Sequence, residues 1–315
     1  MLIELDDSLS NEKEYLRKNI NKLKLLIDAH VNGFHYLLLS KSMVKVLKEI
    51  IPDKSFLKQV FSIQYQSTQI GGYKHKLKKR VLIISERYNS KKEDNIIYMK
   101  LSKVQPNLNP VVVLSENFLD AKFYKKLSEG YIKHKVVDYR GRINCKPRGG
   151  GGSTTVDFLK TVAEEKDSFC LCIVDKDKKE PECFGDTANK VINFCSKNDG
   201  SFDYFILSCL EIENLVPPKF YSEIVSNSNV INTLSILENK EFSFLKFFDF
   251  KKGSETIDGL GEGVFKIFYN WIDKSEKNER DFIKKVSDDY KKLHLEIVNN
   301  VISWSCCPQP SFVNR

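Results

Sequence analysis

The sequence lacks any long apolar run. Its longest uninterrupted stretch, Phe169–Val174, has six residues, against the roughly 20 that a membrane helix needs. A helix-spanning membrane protein is therefore excluded. The opening residues, Met1-Leu-Ile-Glu-Leu-Asp-Asp7, carry no basic segment ahead of an apolar one, so no secretory signal is read there. No two of the eight cysteines have just two residues between them, the spacing of zinc knuckles and redox motifs. Cys170 and Cys172 alternate on a strand-like run, and Cys195 and Cys209 lie in apolar stretches. They read as reduced, buried small hydrophobes in a cytoplasmic protein. The five histidines are scattered, with no metal-type pair, which argues against a zinc hydrolase. No Gly-x-x-x-x-Gly-Lys-Ser/Thr occurs, so no P-loop is present.

What is there is a balanced globular composition, 41% hydrophobic and 29% charged over 315 residues. That length suits two ordinary domains or one large one. The charge is uneven. Residues 1–105 hold twenty basic and eleven acidic residues, so the first third carries the whole excess behind the net +8. Such a segment points to a polyanionic partner, with a merely solvated lysine surface as the plain alternative. Its densest part is Lys74-His-Lys-Leu-Lys-Lys-Arg80, where Lys74, Lys76, Lys78, Lys79 and Arg80 are candidate phosphate contacts.

Periodicity orders the chain. Leu2–Leu5 and Tyr36–Leu39 read as strands, and Asn11–His30 as a helix. Ser40 caps a helix through about Ile50, and another covers Lys54–Tyr65 until Gly71-Gly72 breaks it. Val81–Ser85 and Ile96–Leu101 are further strands. The proline-bearing stretch Ser102–Pro110 marks a boundary. Beyond it, strand and helix alternate: strand Val111–Leu114, helix Glu116–Gly130, strand Lys135–Tyr139, the glycine run Gly149–Gly152, a helix to about Lys166, strand Ser168–Val174, helix Gly185–Lys197 and strand Asp203–Leu207. That alternation predicts a parallel sheet with helices on both faces. The tail, roughly 218–304, is mainly helical and punctuated by Gly253, Gly259, Gly261 and Gly263. Three regions follow: a basic mixed α/β segment over 1–105, an α/β core over 106–216 and a mainly helical region over 217–315.

The informative carboxylates each sit just after a strand: Glu116, then Asp175 and Asp177, then Glu211 and Glu213. The carboxyl ends of parallel strands share one edge, where ligands bind, so these residues are expected to converge. Asp175 and Asp177 flank Lys176, which on extended backbone puts both carboxylates on one side. Carboxylates gathered this way repel unless a cation joins them, and all-oxygen sites favour Mg2+ or Mn2+. Taken singly, each has a bland reading as a turn, a helix cap or an exposed helix start. The glycine run reads as a flexible loop, an engineered linker or a phosphate cradle.

Three segments together resemble a TOPRIM domain, the catalytic core shared by topoisomerases, bacterial-type primases and the overcoming-lysogenisation-defect (OLD) nucleases. The first is Val111-Val-Val-Leu-Ser-Glu116-Asn-Phe-Leu-Asp120-Ala-Lys-Phe-Tyr124, which carries Asn117 where the family usually has Gly. The second is Cys172-Ile-Val174-Asp175-Lys-Asp177. The third, Leu210-Glu211-Ile-Glu213-Asn214-Leu215, is similar to the Glu-Ile-Glu-Asn segment of OLD-like proteins and is the most specific. The resemblance covers about 110–216. It implies a TOPRIM-like parallel sheet and a metal-dependent endonuclease, with Glu116, Asp175, Asp177 and Glu213 as Mg2+ or Mn2+ ligands and Asp120 as a metal-linked acid. Glu211 is then a neighbour of the site. Without a P-loop, the chain would be a stand-alone effector or rely on a partner ATPase on another chain. Anti-phage defence is the biological setting that analogy suggests. Nucleic acid, DNA ahead of RNA, is the expected partner, and a homo-oligomer is compatible with this reading. Two other classes compete: an Asp-x-Asp phosphoryl or glycosyl transferase, and a non-catalytic nucleic-acid or nucleotide binding module.

Overall fold

Apolar runs too short for helices become the strands of two parallel sheets. The structure, a computed structural model, describes all residues except 89–92, 105–107, 140, 167, 179, 181–182, 199–200, 262 and 308–315. Strands β1 (Leu2–Leu5), β2 (Tyr36–Leu38), β3 (Arg80–Ile84) and β4 (Ile96–Lys100) form a sheet of order β2-β1-β3-β4, all parallel. They are followed by β5 (Val111–Ser115), β6 (Arg142–Ile143), β7 (Cys145–Gly149), β8 (Cys170–Val174), β9 (Phe202–Ile206) and β10 (Cys306–Cys307). The second sheet has order β7-β5-β8-β9, again all parallel, and β6 pairs antiparallel with β10. The α/β expectation holds, with helices flanking parallel sheets.

Alternation along β5 and β8 sorts the second core into two faces. Val111, Val113, Leu171 and Ile173 face helices Phe118–Lys133 and Asp288–Ser305. Val112, Leu114, Cys170 and Cys172 face helices Thr155–Glu165 and Asp186–Lys197 through Leu159, Val162 and Val191. The first face belongs to a continuous cluster that also takes in Ile3, Val81 and Ile83 of the first sheet and Phe268, Phe282 and Trp304 of the tail. Of the eight cysteines, all are free thiols and all but Cys183 are buried. Among the described residues, no helix is long and apolar enough to cross a membrane.

Four local readings change. Asn11–His30 is not one helix; it divides into Lys13–Lys18 and Ile20–Val31. Asn19 between them donates from its side chain to the Tyr15 carbonyl at 2.9 Å, the local competition that makes asparagine a poor helix interior residue. The helix from Lys54 runs on to Ile70, and Gly71 opens a 3-10 run through Lys76. Lys135–Tyr139 is no strand, and Lys135 takes a left-handed conformation there. The strand is β7, which contains Pro147 and so reads as loop in the sequence. Proline is tolerated because β7 is an edge strand, with neighbours on one side alone. Pro106 of the expected boundary lies outside the described residues.

The glycine run has a structural task. The Gly150 amide donates to the Ser115 carbonyl at 2.7 Å, and the amides of Gly151 and Gly152 donate to the Glu116 carbonyl at 2.8 and 3.2 Å. Gly151 and Gly152 are both left-handed. The run thus clamps the turn that carries Glu116. A Cβ on Gly149 would stand 2.6 Å from the Phe118 main-chain nitrogen, and backbone cannot swing aside as a side chain can. Gly149→Ala should therefore cost about 1–3 kcal/mol. Gly71, with φ −54° and open space around its Cβ position, should tolerate alanine or gain about 0.4–1 kcal/mol. Urea midpoints check both, and equal midpoints would contradict this account.

Candidate active site

Each acidic residue reaches the carboxyl edge of the second sheet by its own local device. Glu116 follows β5 directly. Asn117 then caps the next helix in an extended conformation, φ −114° and ψ 148°, which any residue adopts, so the turn needs no glycine. Asp120 lies in the first turn of that helix and is buried. Asp175 follows β8. Asp177 does not continue its line: its φ is +58°, so the premise of two aspartates on one side of an extended strand fails. Asp tolerates this left-handed state better than most residues. The amides of Lys176 and Asp177 both donate to the Leu210 carbonyl at 3.2 Å, which draws the two acidic segments together.

The third segment is held most elaborately. Glu211 is extended and caps a short 3-10 turn, Ile212–Leu215, where its amide donates to Asn214 Oδ1 at 2.9 Å. The other end of the Asn214 side chain donates to the carbonyls of Leu245 and Phe248 at 2.7 and 2.8 Å. Beneath it, buried His294 donates from Nε2 to the Leu215 carbonyl, because a carbonyl can only accept, and Tyr131 donates its hydroxyl to Nδ1, both at 2.7 Å. Burial lowers the His294 pKa to about 4, which keeps the ring neutral as this chain of bonds requires. The segment is thus tied to both the sheet-covering helices and the tail.

The charges form one electrostatic unit. Burial, then the charges of Asp177 and Asp120, push the Glu116 carboxyl up to about 7. Burial raises Asp120 to about 6 and Glu213 to about 7, with Lys251 opposing in both. Asp175 is raised well above the carboxylate range by burial and then by Asp120, Glu116 and Glu213, and Asp177 is raised by burial. The positive charge of Lys251 acts on all five. Its ammonium bonds Glu211 and stands 3.4 Å from Glu213 Oε2. Against the pull of burial, Glu213 and Glu211 hold Lys251 protonated above the ordinary lysine range.

Lys251 is the residue that sequence reading missed. Its signal was the glycine-punctuated stretch around it, but nothing in that stretch says which carboxylate it faces. Glu211, read as a neighbour, is its direct partner.

The fit of a divalent cation can be judged from the carboxylates themselves. Glu116 Oε1 and Glu213 Oε2 are buried and make no hydrogen bond, a costly state for a charged oxygen that a cation would relieve. The all-carboxylate donor set suits Mg2+ or Mn2+. Among the described residues, however, no three His, Cys, Asp or Glu side chains stand in a ready metal cluster. The carboxylates share a region without having closed on one point.

The basic run does not form one face. Lys74 and Arg80 turn to Glu4, at 2.8 and 3.6 Å. Lys76 lies over the Tyr73 ring and Lys78 over the Phe205 ring. Lys79 donates to the Asp94 carbonyl at 3.1 Å and lies 3.9 Å from Asp203. Asp203 is near the amino end of β9, so Lys79 stands toward the edge opposite the carboxylates.

The chain was compared with known protein families, curated proteins and solved structures, and none of them matches it.

Raised carboxyl pKa values fix the sign of a pH effect. Glu116 binds its proton more tightly folded than unfolded, where a glutamate titrates near 4.3. Its contribution to stability is complete below about pH 4 and is lost as pH climbs through about 7. In metal-free protein at pH 8, Glu116→Gln should therefore be more stable than wild type by about 1–2 kcal/mol, after allowance for the solvent that reaches the group. The gain should vanish at pH 4. Denaturant unfolding with a chelator present at the two pH values checks it, and a gain of equal size at both would contradict a Glu116 carboxyl raised by burial and by its acidic neighbours.

Proposed function

We propose that this protein is a metal-dependent nuclease with a TOPRIM-like catalytic core, similar in its acidic segments to the OLD nucleases. The observation that carries this reading is the gathering of Glu116, Asp120, Asp175, Asp177 and Glu213, from after three parallel strands, into one electrostatic unit in which Asp120 and Glu213 are buried, Glu116 and Asp175 half-buried and Asp177 exposed. Two of its oxygens, Glu116 Oε1 and Glu213 Oε2, are buried and make no hydrogen bond. The donors gathered here are carboxylates, which favours a hard divalent cation over zinc.

In this reading Glu116, Asp175, Asp177 and Glu213 hold Mg2+ or Mn2+, and Asp120 sits behind them. The bound ion supplies Lewis acidity toward a phosphoryl oxygen and a nucleophilic water. The chain's own groups do the rest. Glu116 and Glu213, raised to about 7 without metal, would give up their protons on taking the ion, because a carboxylate ligates in its ionised form. Lys178 and Lys252, whose charges act on Asp177, offer positive charge to an incoming phosphodiester. Lys76 and Lys78 stand over aromatic rings without a carboxylate bridge at their ammonium groups, and they are the members of the basic run best placed to add nucleic-acid contacts. With no P-loop in the given sequence, the chain would act as a stand-alone effector or with a partner ATPase, and anti-phage defence stands as the setting by analogy alone.

A non-catalytic binding module is the second reading. It draws on the absence of a closed metal cluster among the described residues. One assay separates the two. Supercoiled plasmid and single-stranded RNA are incubated with the protein, with Mg2+, Mn2+ or a chelator. The nuclease reading expects cutting with either metal and none with chelator. Asp175→Asn should lower the rate by more than about 100-fold, the upper range for loss of a mere outer-shell partner. Full cutting by Asp175→Asn overturns the assigned chemistry, and binding without cutting under every condition favours the module.

A further inference from the structure

Lys251 is not a loose surface lysine. It sits in a hairpin, 249–261, built by its own backbone. The Gly253 amide donates to the Asp249 carbonyl at 2.7 Å, Leu260 to Phe250 at 2.7 Å and Gly261 to Lys251 at 3.1 Å. Asp249 Oδ1 accepts from the amides of Lys251 and Lys252. Gly253 is left-handed, and a Cβ on Gly259 would fall 2.2 Å from the Lys251 carbonyl oxygen. Phe250, fully buried, packs against Tyr221 and Phe248. Asn214 fastens the residues just before the hairpin to the Glu-Ile-Glu-Asn segment. The lysine is therefore delivered to the carboxylates by a fixed support.

Its two contacts are unequal. The ammonium bonds Glu211 but stands 3.4 Å from Glu213 Oε2, an oxygen with no hydrogen bond on a side chain only 6% exposed. We propose that Lys251 is an internal counter-ion: it steadies the carboxylate edge while no divalent ion is bound, and it yields Glu213, but not Glu211, when one binds. The idea rests on the metal-site reading above. Its physical basis is the mismatch of charge. The Lys251 ammonium faces six carboxylates, with Lys178 and Lys252 acting besides on Asp177, in a region of reduced dielectric where charges a few ångströms apart interact by several kcal/mol. It can lessen their repulsion but not cancel it. A divalent ion brings twice the charge and direct coordination, so it should win the weaker contact first. This also accounts for carboxylates that are gathered yet not closed into a ligand cluster. Lys251 is on this view a positioning residue, acting through Glu211 and Glu213.

The test uses the full chain stripped of metal, with Lys251→Met, Lys251→Gln and Lys251→Arg beside wild type. Thermal midpoints are taken without metal and at saturating Mn2+, and Mn2+ affinity is measured by calorimetry at about pH 8.5, above the value of about 7 to which Glu116 and Glu213 are raised. Lys251→Met and Lys251→Gln should melt several degrees below wild type without metal, and Lys251→Arg close to it. Saturating Mn2+ should close the deficit, and the two neutral variants should bind Mn2+ at least about tenfold more tightly, since a like charge has left the site. A lysine serving structure alone would leave the deficit unchanged by Mn2+ and the affinity unaltered, and that result overturns the proposal. So does a metal-free midpoint equal to wild type in both neutral variants. If wild type itself binds no Mn2+, the metal reading beneath the proposal falls. A failed counter-ion role leaves wild-type binding intact, so the calorimetry separates the two failures.

Discussion

Repulsion among carboxylates at one edge of a parallel sheet is the constraint on which the rest of the site depends. Parallel strands bring residues from distant segments to a common edge, and here they bring acid to acid. Such an arrangement persists without a bound ion only by proton uptake or by an internal cation. Both are present: carboxyls raised to about 6 or 7, and Lys251 with its charge felt by all of them. Much of the surrounding chain is explained as support for this crowded edge. The glycine run clamps the Glu116 turn, the Leu210 carbonyl joins the two acidic segments, and the Tyr131–His294–Leu215 chain holds the third from below.

The fold was legible where apolar runs were short, continuous and bounded by turn residues. Strands β5, β8 and β9 and their crossover helices follow directly from such runs, and the carboxyl-edge placement of Glu116 and Asp175 follows from the strands. Strand β7 was not legible, because Cys-Lys-Pro-Arg-Gly carries neither alternation nor β-branched residues. It is a strand because its place at the sheet edge excuses Pro147. Asp177 departed from its expected line because its left-handed backbone is set by long-range contact with the Leu210 carbonyl and by Gly185 close against its carboxyl. Lys251 was invisible for a related reason. Its partner Glu211 is 40 residues away, joined to it through Asn214 and the hairpin rather than through any periodic pattern. Local grammar reports strands, caps and turns; it is silent on which charge a distant hairpin will deliver.

The basic first third shows how composition and placement differ. Its positive excess is real, yet Lys74 and Arg80 spend their charge on Glu4, and Lys79 turns toward Asp203. Lys76 and Lys78 of the run stand over aromatic rings. A field from this region can still attract a polyanion over a Debye length.

On the proposed reading, the acidic edge is a cation site whose carboxyls Glu116 and Glu213, raised to about 7, carry protons near neutral pH. Metal binding must then expel them, since a carboxylate ligates in its ionised form. The direct measurement is Mn2+ titration calorimetry of the metal-free protein near pH 6.5, repeated in buffers of different ionisation enthalpy, which counts the protons released. The account predicts net release of about one proton or more per ion bound, shrinking toward zero as pH rises well past 7. Binding with no proton release at pH 6.5, or no binding at all, would contradict it.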